Sequence, residues 1–319
     1  MHKNARIYIA GHRGLAGSAI IRKLTELGYT NLLFRTSSEL NLIDQQATEA
    51  FFLEHNPEYV FMCAGMVGGI AANIAKPVEF LYNNSLMTMN VISSAHKAQV
   101  KKLVYLGSSC IYPKECPQPI KEEYLLTGLL EPTNEGYALS KILGIKLCSY
   151  YRREYGCNFI SAMPSNLYGP NDNYDLKSSH VIGALIRRFH EAKINQISEV
   201  IVWGSGKARR EFTYSDDYAD GVIFAMNHYS DEMHINIGTN EDISISDLAV
   251  LIADIVGYTG KIIFDTSKPD GMLRKLMDSS RIYSLGWKAS TSLKVGLKKS
   301  YADFLERLSN NTLGTAHKI

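Results

Sequence analysis

The chain has 319 residues, 45% of them hydrophobic, enough to bury a sizeable core as one large domain or as two lobes. Its 34 basic residues are balanced by 32 acidic ones, and the resulting net charge of +2 argues against a general nucleic-acid binder. No window offers the run of about 18 apolar residues that a membrane span requires. Five cysteines (Cys63, Cys110, Cys116, Cys148 and Cys157) contain no C-x-x-C pair, and their odd number closes no disulfide framework. Reduced thiols and a cytoplasmic setting are therefore expected. The opening MHKNARIYIAGHRG passes straight into a strand pattern, with no signal-peptide signature.

In chain order, Ala5–Ala10 reads as a buried strand, GHRGLAG as a loop, and Ser18–Leu27 as a helix. A second strand is expected over Asn31–Arg35, a helix over Gln45–His55, a third strand over Tyr59–Ala64 and a long helix over Pro77–Ala98. Lys102–Gly107 reads as a fourth strand, Tyr137–Tyr155 as a helix and Asn158–Met163 as a fifth strand. Such alternation implies a doubly wound parallel sheet with helices on both faces, an α/β Rossmann architecture. After Gly169 the rhythm breaks. A polar, turn-rich stretch leads to a helix opening near His180, then the strand EVIVW, a glycine turn over GSGKARREF, a helix over Asp217–Met226 and a terminal helix near Leu293–Leu308. We read residues 1–170 as a cofactor-binding domain, with a return to the sheet around 213–240, and residues 171–319 as mainly a smaller substrate-binding lobe.

Gly11, Gly14 and Gly17 are spaced G-x-x-G-x-x-G between the first strand and the first helix. Glycines there allow a tight turn, close backbone approach to a pyrophosphate and close helix–strand packing, with the helix N-terminus facing the phosphates. A turn with no ligand is the alternative. An NAD site usually carries an acidic residue about 20 positions further on, against the ribose hydroxyls. Here the second strand ends in Arg35, followed by Thr36, Ser37 and Ser38, and Arg13 adds a cation inside the loop. That pocket suits the 2′-phosphate of NADP; Arg35 as a solvated strand end is the alternative.

Tyr137 and Lys141 lie four residues apart, hence on one face of a helix. An ammonium beside the phenol favours the phenolate and lowers the pH at which the tyrosine can trade its proton. Ser108, in LGSSCIYP, would hydrogen-bond a substrate carbonyl at the carboxyl end of the fourth strand. Together these three groups point to hydride chemistry at a carbonyl or alcohol, with positioned acid–base help. A buried tyrosine bonded to a serine beside a surface lysine is the alternative.

The strings GHRGLAGSAI, LGSSCIYP, EPTNEGYALSKILGIKLC, NLYGPNDN, SHVIGALIRRFHEA, VIVWGSG, REF and FDTSKPDG resemble those of the GDP-L-fucose synthases. These are bifunctional epimerase/reductases of the extended short-chain dehydrogenase superfamily, and the likeness runs to about Trp287. It implies a GDP-4-keto-6-deoxy-D-mannose substrate, inverted at C3″ and C5″ and then reduced at C4″ with NADPH. By the same resemblance Cys110 is the epimerisation base and His180 the acid that returns a proton from the opposite face, beside Ser108, Tyr137 and Lys141. NADP would be held by Gly11, His12, Arg13, Gly14, Leu15, Ala16, Gly17, Arg35, Asn41, Leu42, Leu106, Gly107, Lys141, Pro164, Ser165, Asn166, Leu167 and His180. Arg188, Trp203, Arg210 and Asp270 would hold the GDP-sugar. Relatives commonly pair their two long helices into a homodimer, equivalent here to Pro77–Ala98 and Tyr137–Tyr155.

Three positions depart from the familiar pattern: Ser37 in place of a second arginine, Met66 in place of a lysine, and Gly136 in place of a proline. Related substrates, a GDP-4-keto-6-deoxy-heptose or a 3,6-dideoxy sugar, stay open on this reading. So do a non-redox NAD-dependent sugar epimerase and a catalytically silent NADP-binding protein, although the intact Tyr137/Lys141 pair speaks against the last.

Overall fold

A computed structural model describes residues 1–176, 178–268 and 270–313. Pro269 of the FDTSKPDG string, and the last six positions of the expected second lobe, lie outside the described residues. The first half of the chain contributes β1 (Ile7–Ala10), α1 (Leu15–Glu26), β2 (Leu32–Leu33), α2 (Gln45–His55), β3 (Tyr59–Met62), α3 (Ile70–Ala75), α4 (Pro77–Lys97), β4 (Lys102–Leu106), α5 (Glu135–Tyr155) and β5 (Phe159–Pro164). Then follow β6 (Asn166–Tyr168), α6 (Val181–Ile194), β7 (Glu199–Trp203), β8 (Arg209–Tyr214), α7 (Ser215–His228), β9 (Ile235–Ile237), β10 (Asp242–Ser244), α8 (Ile245–Val256), β11 (Lys261–Asp265), β12 (Arg274–Lys275), α9 (Ser280–Ser284) and α10 (Leu293–Ser309).

The central sheet has six parallel strands in the order β2-β1-β3-β4-β5-β9. β1, β4 and β9 are fully buried along their lengths, as strands covered on both faces must be. One apolar layer packs α1 and α7 on one face, with Ile20, Leu24, Tyr218 and Val222 in its interior. The other packs α2, α4 and α5, with Phe52, Val91, Ile92 and Ile145. The strand order reverses at β1, whose neighbours are β2 and β3. At such a switch point the carboxyl ends of the strands open a crevice for a ligand.

The second assembly is centred on β8. β10 pairs with it antiparallel, while β12 and β6 pair with it in parallel along its first and second halves. β7 and β11 form a separate parallel ribbon. A third apolar layer, containing Phe189, Leu248, Ile252 and Phe304, joins α6, α8 and α10 to these strands.

Two expectations need correction. The strand expected over Asn31–Arg35 is only two residues long, because it lies at the sheet edge and its continuation, Phe34, is 42% exposed with no partner strand to order it. The turn expected over GSGKARREF ends earlier: left-handed Gly204 (φ 85°) and Gly206 (φ 77°) close it, and Arg209 already begins β8. α3 and the short strands β6, β9, β10, β11 and β12 carried no periodic signal long enough to read.

Candidate active site

The glycine loop is built for close approach. Gly11 has φ 78°, and a Cβ there would lie 2.6 Å from the Ala64 backbone. A Cβ on Gly17 would fall on the Gly11 carbonyl oxygen, so both positions exclude any larger residue. Gly14 caps α1 with no side chain on its first amides. The loop therefore presents uncapped N–H groups and the positive end of a 12-residue helix to whatever sits above it. His12, Arg13, Leu15 and Ala16 complete this turn, and His12 stacks on Phe34 at 4.9 Å.

Arg13 is exposed, and Arg35 stands just past β2. Arg35 is not free in solvent: its guanidinium meets the His55 ring at 2.8 Å and lies 5.6 Å from the Phe51 ring centre. Glu39 turns away from the arginine to accept from the Thr36 amide and hydroxyl at 2.7 and 2.8 Å. Asn41 and Leu42 follow on the same rim, and Asn90 on α4 holds the Leu42 and Ile43 carbonyls at 2.9 Å each. Preformed amides, a shaped glycine floor and two cations at the rim fit a dinucleotide with an additional phosphate.

Leu106 and Gly107 end β4, and a Cβ on Gly107 would collide with the Met163 side chain. Ser108 turns the chain out of the strand, and its hydroxyl accepts from the Cys110 amide at 3.4 Å. Tyr137 and Lys141 lie in the first turns of α5, which packs beside α4. Lys141 is buried, donates to the Leu106 carbonyl at 2.9 Å, and has its ammonium 5.7 Å from the Tyr137 ring centre. Burial lowers the Lys141 pKa to about 8. Tyr137 departs from the simple expectation. Burial, with Cys110 and Tyr105 behind it, pushes the phenol well above its usual range, and only the hydrogen bond with Ser108 pulls the other way. Burial thus holds Tyr137 as the neutral acid, while the Lys141 hydrogen bond goes to the Leu106 carbonyl.

Cys110 is buried, and burial raises its pKa against the pull of Lys275, Ser108 and Lys141. His180 caps the N-terminus of α6 without bonding it. Its ring is open to solvent at the cleft wall, yet the protein crowded around it lowers its pKa below 6.5, which strengthens it as an acid.

Beyond β5, Pro164 and Ser165 lead into β6. Ser165 and Thr213 share a hydrogen bond at 2.6 Å, Asn166 donates to the Glu211 carbonyl at 2.8 Å, and Leu167 packs on the α1–α7 layer. The opposite wall carries the remaining candidates. The Arg188 guanidinium lies 5.8 Å from the centre of Trp203, which is 63% exposed at the end of β7. Asp270 accepts from the Ser205 amide and hydroxyl at 2.6 and 2.7 Å, and Arg210 donates to the Met272 carbonyl at 2.6 Å. Their neighbours are engaged elsewhere, Arg187 with Glu191 and Arg209 with Asp242, each at 2.7 Å.

Two supporting residues carried no local sequence signal. Asn84, buried in α4, accepts from the Met66 amide at 2.6 Å and donates to its carbonyl at 3.1 Å, folding that loop beside Lys141. Glu211, fully buried, accepts from the amides of Met277, Thr239 and Asn240 at 2.9, 2.6 and 3.0 Å, joining three segments remote in sequence. Only the tertiary fold brings those partners together.

A Rossmann sheet with a glycine loop, and a serine–tyrosine–lysine set at its carboxyl edge, defines a nucleotide-dependent oxidoreductase or epimerase of the short-chain type. Residues 7–238 match the model of the NAD dependent epimerase/dehydratase family, and the chain belongs to that family. It is 52% identical over 308 residues to GDP-L-fucose synthase 1 of Arabidopsis thaliana, covering 97% of this chain and 95% of that one. Among solved structures it is similar to a GDP-6-OMe-4-keto-L-xylo-heptose reductase from C. jejuni, at TM-score 0.91 and 40% identity over 96% of this chain and 99% of that one. A GDP-L-fucose synthetase from Naegleria fowleri bound to NADP is similar at TM-score 0.91 and 30% identity, over 97% and 95% of the two chains.

Proposed function

We propose that this protein is an NADPH-dependent 3,5-epimerase/4-reductase that converts GDP-4-keto-6-deoxy-D-mannose to GDP-L-fucose. The observation that carries this reading is the gathering of Cys110, Tyr137 and Lys141 at the carboxyl end of β4 and the start of α5, in a chain 52% identical to a GDP-L-fucose synthase; His180, at the start of α6, would supply the second proton-transfer group. A simple ketone reductase needs only Tyr137 and Lys141. The higher identity to that synthase than to the heptose reductase, 52% against 40%, favours the 6-deoxyhexose over the heptose.

The glycine loop, the amides of Leu15 and Ala16, Arg13 and Arg35 would hold the NADP phosphates, with Asn41 and Leu42 beside the adenosine end. Leu106, Gly107 and the segment Pro164–Leu167 would line the nicotinamide end. When bound, NADPH supplies the hydride for C4″. All proton handling falls to the chain. Cys110 removes the proton alpha to the ketone, and its electron pair passes to the ketone oxygen. Ser108 and Tyr137 stabilise that enolate by hydrogen bonding. His180 delivers a proton to the opposite face, which inverts the centre. The same steps at the second alpha carbon complete the epimerisation. In the reduction Tyr137 gives its proton to the C4″ oxygen, and the Lys141 ammonium, released from the Leu106 carbonyl, stabilises the phenolate left behind. Arg188 and Arg210 would grip the diphosphate through paired, charge-assisted bonds, with Trp203 and Asp270 shaping the nucleoside end.

A homodimer goes with this reading. α4 and α5 pack side by side, and their outer faces expose Val78 (74%), Tyr82 (61%), Tyr150 (51%) and Leu139 (41%). Sedimentation of the purified protein would read twice the 35.6 kDa chain mass. A cytoplasmic setting also goes with it, since all five cysteines are free thiols. Among the described residues no helix is long and apolar enough to cross a membrane.

The test is turnover, followed as NADPH loss, with the GDP-4-keto-6-deoxy derivatives of mannose, a heptose and a 3,6-dideoxyhexose. Preference for the first supports the proposal. Preference for either other sugar moves the substrate, and no NADPH loss with any of them removes the reductase.

A further inference from the structure

The end of the NLYGPNDN string has no part in the reaction above, yet it ties two remote pieces of the chain together. Residues 171–174 follow β6 and turn at Asn171, whose backbone is left-handed (φ 69°). The Asn171 side-chain amide donates to the Arg13 carbonyl at 2.8 Å and to the Ser18 hydroxyl at 3.3 Å. Its backbone amide donates to the Asp303 carboxylate on α10 at 3.1 Å. One residue thus joins the glycine loop to α10, reaching 158 positions back and 132 forward in sequence.

The anchor on α10 is firm. Tyr174, fully buried, donates to the Ser300 carbonyl at 2.9 Å and to the same Asp303 carboxylate at 3.2 Å, and its ring lies 5.0 Å from that of Phe304. Arg307 donates to the Asp172 carbonyl at 2.7 Å and pairs with Asp303 at 3.6 Å. On the loop side, the Gly14 amide donates to the Gly11 carbonyl at 3.1 Å and the Ser18 amide to the Gly14 carbonyl at 2.9 Å. Among the described residues no backbone amide reaches the Arg13 carbonyl between them, so the Asn171 amide is what holds that peptide. The peptide joins Arg13, whose side chain is exposed, to Gly14, which leaves the first amides of α1 uncapped. Its rotation would turn both the cation and the amides away from a bound phosphate.

We propose that Asn171 is a positioning residue for the cofactor: held from α10, its side-chain amide fixes the peptide between Arg13 and Gly14, and with it the shape of the loop that receives the NADP phosphates. This rests on the reading of that loop as the NADP site. A loop already fixed by the protein loses less freedom when the dinucleotide binds, so the bond is read in NADPH affinity. The left-handed turn alone does not account for the residue, because glycine adopts that conformation more readily than asparagine. What glycine lacks is the donor. Aspartate tolerates the turn as well, but sets a carboxylate against the Arg13 carbonyl.

The test is the NADPH affinity of the full-length protein, read by fluorescence titration, with GDP affinity read by calorimetry and thermal melting as controls. Asn171→Gly is expected to weaken NADPH binding about three- to tenfold, the worth of one hydrogen bond, and Asn171→Asp about tenfold or more. GDP affinity should hold in both variants. Wild-type NADPH affinity in the glycine variant would overturn the proposal, since the turn alone would then suffice. So would an equal loss of NADPH and GDP affinity, the mark of a general loosening. If the glycine variant melts early, the aspartate variant carries the same comparison. Failure of the underlying reading looks different: a wild-type chain that takes up no NADPH removes the loop as the cofactor site, and the proposal with it.

Discussion

The two walls of the crevice are built on different principles. The sheet-side wall takes Ser108, Cys110, Tyr137 and Lys141 from the end of β4 and the start of α5, and Lys141 and Cys110 are buried. The far wall takes Arg188, Trp203, Arg210 and Asp270 from four separate segments, and Trp203 remains 63% exposed. Burial on the first wall raises the pKa values of Tyr137 and Cys110 and lowers that of Lys141. The far wall leaves its charged groups half-buried and ties them to backbone carbonyls and amides, which suits recognition of a charged nucleotide. Chemistry thus sits where the sheet excludes water, and recognition where separate segments shape a rim.

Substitutions on the two walls should therefore fail differently. Tyr137→Phe removes the proton donor of the reduction and should lower kcat by about 10²–10⁴-fold. Stopped NADPH oxidation on a confirmed substrate checks this, and full activity would sink the assignment. Cys110→Ser should slow deuterium uptake from D2O by about 10²-fold or more, while reduction of an already epimerised ketone continues. Arg188→Ala or Arg210→Ala should instead raise KM for the GDP-sugar by roughly 10–100-fold, the worth of a charge-assisted hydrogen bond. NADPH affinity, read by fluorescence titration, should hold. If kcat fell with KM unchanged, the division between the walls would be wrong.

The smallest effect is on pH dependence. Lys141 titrates at about 8, so its ammonium is present below that pH and lost above it. The pH profile of kcat/KM should show an alkaline limb near 8, and rates at pH 9 should fall about tenfold per unit beyond it. A flat profile to pH 10 would show that the lysine's charge is not needed.

The same contrast explains what could be read from the sequence. The glycine loop and the Tyr137/Lys141 pair announce themselves because their geometry is local: a turn of seven residues in one case, one helical turn in the other. The helices expected over Gln45–His55 and from Pro77 begin where the sequence places them, and the structure adds the Asp44 cap of the first and the proline at the first position of the second. The far wall was not legible from local pattern, since Arg210 and Lys275 meet only through pairing of β8 with β12 across 60 or so residues of chain. Its candidates came from resemblance alone. The rise in the Tyr137 pKa was also hidden, because spacing shows the lysine but neither the depth of burial nor the Leu106 carbonyl that occupies it.

One measurement bears most directly on the union of epimerase and reductase in a single crevice. The protein is incubated with GDP-4-keto-6-deoxy-D-mannose and NADPH in D2O, and the product sugar is analysed by NMR. The account predicts GDP-L-fucose carrying deuterium at C3″ and C5″ and protium at C4″, with one NADPH consumed per product. A C4-reduced product of unchanged configuration with protium at both alpha carbons would contradict it, leaving a reductase without an epimerase.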